Sequence, residues 1–473
     1  MNLNELTILQ ALQGLKNGNF SSEELTKTCL NRIKKTDGKI KAFITVCTKS
    51  AIKQAKQADV LIKKDKNIFA EKPLLGIPFA IKDNFCAKGI KTTASSKVLE
   101  NYAPEYNATV YEKLTSTGAI LVGKTNMDAW AHGSSTETSD FFTTKNPWDL
   151  DYLPGGSSGG STAAVIADQV IFAIGSETAG SIRQPASWCG VVGLKPSYGR
   201  VSRYGVIAMA SSTDSPGPIT KTVKDAGLIL QILAGKDEMD ATTSFESVPT
   251  YLSKNLNIRK LKIGVPKQYF LKEMDKGVKK SILDAINVFK QKGAIIKQIN
   301  LLDPKYSVAV YTIIQRAEVS SNLGRYDGIR YGNNRHFFGQ EAKRRIMLGT
   351  YALSAGYYDQ YYAKAQKVRA LMIKDFEKVF KKVDVLISPT CPTTALKVGA
   401  SENQSMFGEI QDILVEASSL AGLPGLNICS GFSKSNLPIG MQIIGPQFSE
   451  DMLLKVGHFY QQITNWHKRK PKL

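Results

Sequence analysis

Apolar and polar positions alternate along this chain with two different periods, and the change of period marks out its elements. Over residues 4–35 the apolar positions recur at helical spacing, which predicts two amphipathic helices. The second starts at Phe20-Ser21-Ser22-Glu23-Glu24, where Ser21 and Glu24 have the spacing of a capping box. A third helix, with a largely charged outer face, is expected over 51–64. Around Leu74 the period shortens. Ile77, Phe79 and Ile81 alternate as in a strand, and Lys82 ends the run just before Asp83-Asn84. A helix over 108–117, a strand over 119–124 and a helix over 161–168 follow. Short strands and turns are expected at 190–196 and 199–201, and a tight loop at Asp214-Ser215-Pro216-Gly217-Pro218. Further on the pattern reads helix (221–235), strand (263–266), helix (279–292), helices (311–323 and 343–374), strand (385–390), a small, Gly-rich stretch (418–428) and a late strand (438–445). Strands alternating with helices throughout predict an α/β protein. No internal repeat or linker breaks the series, and the basic tail from Lys468 to Lys472 reads as a frayed end.

Composition narrows the class. The chain has 473 residues, 42% of them apolar, enough for a large core. Its formal charge of +21 favours attraction to polyanions, but the lysines are scattered over helix faces and no basic run is interleaved with aromatics. Direct nucleic-acid recognition by this chain is therefore not expected. The six cysteines are far apart and form no CxxC pair, which suits free thiols in a reducing compartment. The first residues lack the basic-then-apolar order of a secretory signal, and no apolar run reaches the roughly 18 residues of a membrane span. The four histidines have no metal-ligand spacing. A cytoplasmic protein with no membrane contact and no metal is the expectation.

The chemistry concentrates in residues 153–186, where GGSSGGS and ETAGS flank an apolar run and SIRQPA follows. A flexible Gly/Ser linker would not alternate with VIADQVIFAIG. Ser181 follows Thr178-Ala179-Gly180, small residues whose backbone amides can hold an oxyanion. A serine needs a base at neutral pH, and only His132 among the histidines lies near this framework. A lysine serves if burial lowers its pKa, and Lys82 at the end of an apolar strand fits that description. Ser157 or Ser158 is placed to relay the proton.

GIPFAIKDN around Lys82, GGSSGGS, and the second cluster with SIRQPA, in this order, resemble the amidase signature family. The resemblance implies a large mixed β-sheet core covered by α-helices, a single domain over 1–473 with a helical N-terminal layer over 1–70, and a Ser–cisSer–Lys triad. Ser181 is then the nucleophile, Ser157 the relay in a cis peptide and Lys82 the base, with Thr178, Ala179 and Gly180 lining the oxyanion hole. TNMD at 125–128, GSSTE at 133–137, YGRVSRYG at 198–205, AEVSSNL at 317–323, RYDGIRYG at 325–332, RRIMLGT at 344–350 and GYY at 356–358 resemble one branch of the family, the A-type chains of glutamyl-tRNA(Gln)/aspartyl-tRNA(Asn) amidotransferases.

For that branch the resemblance implies glutamine as ammonia donor. Arg345 and Asp412 would hold its α-carboxylate and α-amino group, Tyr311 would stand near, and His132 and Gly133 would line the pocket. It also implies a heterotrimer with a GatB-like and a GatC-like subunit. The GatB-like subunit binds the misacylated tRNA and uses ATP and Mg²⁺, and this chain needs no cofactor of its own. No phosphate-binding P-loop occurs here, in keeping with that division. Three departures stand out. The second cluster has Ala179 where the branch has Gly, His132 stands where Met is common, and the chain between Gly332 and Lys343 is short. Two rival expectations are a stand-alone amidase of the same fold and a tRNA-binding scaffold with an idle triad.

Overall fold

The computed structural model describes residues 2–65, 67–330, 332–402, 404 and 406–473; Tyr331 of the motif at 325–332 lies outside them. Within these residues one mixed sheet contains β1 (Phe43–Val46), β2 (Pro78–Lys82), β3 (Ile120–Thr125), β4 (Phe172–Glu177), β5 (Val192–Lys195), β6 (Ser215–Thr220), β7 (Lys262–Pro266), β8 (Ile295–Ile299), β9 (Val385–Pro389), β10 (Gly425–Phe432) and β11 (Pro438–Ile444). Their spatial order is β1-β3-β2-β4-β6-β5-β10-β11-β9-β7-β8. Parallel pairing joins β3-β2-β4 on one flank and β9-β7-β8 on the other, and the strands between are antiparallel. Helices lie on both faces, so this is the α/β mixed sheet that the sequence pattern and the resemblance predict. Among the described residues no helix is long and apolar enough to cross a membrane, and the six cysteines are free thiols.

The alternation in β2 decides where the chemistry goes. All five of its residues are buried, so large and small side chains alternate between two covered faces, not between core and water. Phe79 and Ile81 enter the largest apolar cluster, where Phe79 stacks on Phe172 of β4 with ring centroids 5.3 Å apart. Truncating such a ring to Ala costs about 3–5 kcal/mol. Ala80 turns to a second cluster, which holds Ala163 and Ala164 of the helix Gly159–Ile166. Successive strand side chains point to opposite faces, so Lys82 shares the face of Ala80. It therefore points toward the helix that begins just after Ser157-Ser158.

Several elements differ from the pattern-based expectation. The tight loop expected at 214–218 is β6, a buried strand in mid-sheet. Proline lacks the ladder N–H and is normally confined to edges. Here β4 pairs with β6 from Ser215 to Ile219, whereas β5 reaches only Ile219 and Thr220. Pro216 and Pro218 thus lie where β6 has one neighbour. The N-terminal layer is not wholly helical, because Phe43–Val46 supplies the edge strand β1. Of the short strands and turns expected at 190–196 and 199–201, the first segment gives β5 and the second a turn with a single bridge from Val201 to Ala234. The helix expected over 343–374 breaks into Gln340–Leu353, a π-helical turn at Asp359–Ala363, and Lys364–Phe380. The basic tail is docked, not frayed: Lys470 Nζ bonds both carboxylate oxygens of Asp168, and the Arg469 guanidinium lies 3.8 Å from the Phe432 ring centroid. The capping box at Ser21 and Glu24 forms as read.

Candidate active site

Three segments distant in sequence meet at the C-terminal end of β2. Lys82 Nζ donates to Ser157 Oγ at 2.7 Å, and to the carbonyl and hydroxyl oxygens of Ser176 at 3.0 Å each. Asn84 Nδ2 donates to Ser176 Oγ at 2.9 Å. Lys82 is fully buried. Burial pulls its amine down to about 7, against the opposing charges of Asp128, Asp214 and Glu177. The Gly156–Ser157 peptide bond is cis, and Gly156 N donates to Gln184 Oε1 at 2.9 Å. Ser158 N donates to the Ser181 carbonyl at 3.1 Å, joining the two Gly/Ser clusters.

The loop carrying Ser181 has its carbonyls tied back and its amides unengaged. Ala179 O accepts from Ser419 Oγ at 2.6 Å and from Arg183 Nη2 at 3.2 Å. Gly180 O accepts from Gln184 N at 2.7 Å. Among the described residues, the amides of Thr178, Ala179, Gly180 and Ser181 find no acceptor. Buried backbone donors are normally paired, so this set is suited to an incoming anion. Glu177 fixes the turn. Its Oε2 accepts from Ile182 N and Arg183 N, both at 3.0 Å, and its Oε1 takes Arg183 Nη2 at 2.6 Å and Nε at 2.8 Å. Arg183 Nη1 reaches on to Ser418 Oγ and Gln442 Oε1. Ala179, the departure from the branch, keeps a negative φ, so a side chain there carries no backbone strain.

A second region adjoins this loop through Asp412. Its Oδ2 accepts from Ser134 Oγ at 2.9 Å, and its Oδ1 has no partner among the described residues. A Cβ added to Gly180 would lie 2.4 Å from that Oδ1, so only glycine lets the carboxyl rest against the loop. Burial pushes the Asp412 carboxyl well above the usual carboxylate range. Ser134 belongs to the wall of a cavity of ≈250 Å³, which His132, Gly133, Arg345, Phe407 and Glu409 also line. Arg345 Nε donates to Glu341 Oε1 at 2.6 Å, and its Nη2 lies 3.6 Å from Glu409 Oε1. Glu409 also accepts from Arg316 Nη2 at 2.8 Å. Burial opposes the charge on Glu409, yet Arg345 and Arg316 hold its carboxyl below the usual range. Gly349 brings Arg345 here. A Cβ on it would meet the Arg316 carbonyl at 1.8 Å, so the helix Gln340–Leu353 closes on Lys305–Leu323 only with glycine at the crossing.

His132 is fully buried, and among the described residues neither ring nitrogen has a partner. Burial, with Arg345 and Arg316 nearby, keeps its pKa well below the ordinary value. A neutral imidazole there can donate one hydrogen bond and accept another from a ligand. Tyr311 and Asp412 stand off the cavity wall. Tyr311 packs in an apolar cluster with Ala179, Ile314 and Leu420. The structure thus unites Lys82 with Ser157, ties Ser157-Ser158 to Ser181, and sets Arg345, His132 and Gly133 around one cavity with Asp412 at the joint. Residues that sequence reasoning passed over are Ser176 and Asn84 at the lysine, Ser418 and Ser419 behind the loop, and Arg316, Glu341 and Glu409 around Arg345. Glu409 stands three residues before Asp412, a helical spacing that could have flagged it. Ser418 and Ser419 gave no signal beyond small size. Among the described residues no group of His, Cys, Asp or Glu is arranged to hold a metal ion.

Comparison with known proteins bears on this geometry. The family described as Amidase matches residues 24–454. The A-type chain of the glutamyl-tRNA(Gln) amidotransferase of Carboxydothermus hydrogenoformans is 49% identical over 489 residues, covering all of both chains. The crystal structure of the corresponding A-type chain of the glutamyl-tRNA(Gln) amidotransferase from Thermotoga maritima superposes with a TM-score of 0.81 at 41% identity, covering 96% of this chain and 94% of that one. The native peptide amidase of Stenotrophomonas maltophilia superposes at 0.85 but is only 27% identical, over 99% and 98% of the two chains. The fold is shared with both solved structures, and the higher sequence identity lies with the amidotransferase chain.

Proposed function

The chain belongs to the amidase family, and we propose that within it the protein is a glutamine amidohydrolase, the A-type chain of a glutamyl-tRNA(Gln) or aspartyl-tRNA(Asn) amidotransferase. The observation that carries this reading is the buried Lys82 amine, held to about 7 and 2.7 Å from Ser157 Oγ, beside the unengaged amides of the Ser181 loop. Neutral Lys82 takes the Ser157 proton as Ser157 takes that of Ser181. Ser181 Oγ attacks the side-chain carbonyl carbon of glutamine, and the oxyanion is met by the amides at 178–181. The relay returns the proton to the nitrogen as the C–N bond breaks, and ammonia leaves. Water then attacks the glutamyl ester through the same relay and frees glutamate and Ser181. Arg345, with its neighbour His132, binds the α-carboxylate, and Asp412 the α-ammonium; an arriving ammonium favours the ionised form of a carboxyl whose pKa burial raises.

Relatives named as chains of this amidotransferase support a division of labour. Ammonia passes to a GatB-like subunit that binds the misacylated tRNA and uses ATP and Mg²⁺, a GatC-like subunit completes the heterotrimer, and this chain works without a cofactor in the cytoplasm. The stand-alone amidase reading is weaker, because the charged pocket around Arg345 suits an amino-acid zwitterion and the closer sequence match lies with the amidotransferase chains. Glutamine hydrolysis by the assembled protein tests the proposal. Ser181→Ala is expected to lower it by at least ~10³-fold while tRNA still co-purifies. Efficient hydrolysis of unrelated amides with no response to glutamine overturns it.

A further inference from the structure

A patch of exposed apolar side chains follows the candidate site directly in sequence. On the helix Gln340–Leu353, Arg345 faces the cavity, while Met347 two residues on is 71% exposed. Beyond it Tyr351, Tyr357, Tyr358 and Tyr361 are 38–48% exposed, and Leu371 on the next helix is 57% exposed. Tyr351, Tyr357 and Tyr361 form one surface: ring centroids are 4.3 Å apart for Tyr351 and Tyr357 and 6.1 Å apart for Tyr357 and Tyr361, while Tyr358 packs on Tyr362. The π-helical turn Asp359–Ala363 supports Tyr361. A contiguous apolar surface of this kind marks an interaction site, and tyrosine offers large contact area at low entropic cost.

Charge selects the occupant. Residues 346–363 contain no Lys or Arg and one acid, Asp359, in a chain that carries 62 cations among 473 residues. Cations flank the stretch on both sides, Lys343 and Arg344 before it, Lys364 and Lys367 after it. A nucleic acid would need cations among the rings to neutralise phosphates. A second copy would set one basic rim against another in chains of +21 each. An apolar face within a basic rim fits a different protein with an apolar centre and an acidic border. We propose that this tyrosine surface is the docking site of the ammonia-consuming partner protein, an inference that rests on the chain being the A-type chain of an amidotransferase. Docked there, the partner sits within about two helical turns of Arg345.

The test is co-expression of the full chain with the GatB-like and GatC-like subunits of its own genome, comparing wild type, Met347→Glu/Tyr357→Glu, and a control, Phe245→Glu, at a site 83% exposed elsewhere. The double variant is expected to weaken association at least ~10-fold and abolish glutamine-dependent tRNA amidation. Its far-UV circular dichroism should match wild type, and the control should associate normally. Association within threefold of wild type overturns the docking site and leaves the proposed function standing. Failure of the wild-type chain to associate at all overturns the function and the docking site together. A wild-type homodimer that the double variant dissociates also overturns the inference, because the occupant is then a second copy.

Discussion

Lys82 and Lys195 end two strands of one sheet, β2 and β5, and by most measures they are the same residue. Both are fully buried. Burial pulls both amines down to about 7, and the charge of Glu177 opposes that pull in both. The difference lies in what each nitrogen touches. Lys82 meets two hydroxyls, on Ser157 and Ser176. Lys195 donates to the carbonyls of Pro196 and Leu423, at 2.9 and 2.8 Å. A hydroxyl can give up its proton to the amine and take another; a carbonyl can only accept. A neutral amine with two N–H groups satisfies two carbonyls and has nothing to relay. A lowered lysine pKa therefore marks burial, and the neighbouring hydroxyls make a base of it.

The comparison breaks most sharply at Lys82 itself. Lys82→Met is expected to lower kcat/KM for glutamine by about 10³–10⁴-fold in a folded protein; wild-type-like turnover would remove Lys82 as the base. Glu177→Gln should act on both sites at once. It leaves Arg183 buried without its ion partner and is expected to lower stability by about 3 kcal/mol in denaturant titration. It also removes a charge that raises the Lys82 pKa, so the rise of kcat/KM with pH, centred near 7 in wild type because the neutral amine is the active form, should move to lower pH. No movement would show that Glu177 does not act on the base. Lys195→Met should change stability by less than about 2 kcal/mol, the loss of two hydrogen bonds being offset by removal of a buried amine, with kcat/KM within about threefold of wild type. A further effect is in linkage. Each lysine is neutral in the fold above about 7 and takes a proton on unfolding below its ordinary 10.5. The unfolded chain binds more protons in that window, so stability rises with pH across it, and either Met variant should flatten the rise in melts at stepped pH.

The lysine, the two serine clusters and most of the helices were legible because each depends on short-range pattern. Strand alternation put Lys82 at the end of β2, and glycines beside serines announced the loops. β6 was not legible, since its two prolines punctuate a sequence and only the limited reach of β5 makes a strand possible there. The edge strands β1 and β8 were missed for a related reason: edge strands are short and partly polar, so their alternation is weak. Of the counter-charges of Arg345, Glu341 stands four residues before it on the same helix, a spacing that could have flagged it, whereas Glu409 comes from another helix and is shared with Arg316 of a third, and nothing local says that these converge. Ser176 reads as a strand residue until Lys82 is brought against it from a parallel neighbour.

The bolt behind the Ser181 loop also has a bearing on synthesis. Arg183 and Ala179 are held by Ser418, Ser419 and Gln442, which lie 235 to 259 residues further along the chain. A growing polypeptide exposes both serine clusters long before it contains the groups that shape them. Contacts of such sequence separation form late and slowly. An unfinished chain released by a stalled ribosome before Ser418 would carry all three residues of the proposed triad yet lack the clamp on the Ser181 loop. Hydrolytic competence is thereby coupled to the completeness of the polypeptide, and fragments from interrupted translation would be inert toward the cell's glutamine.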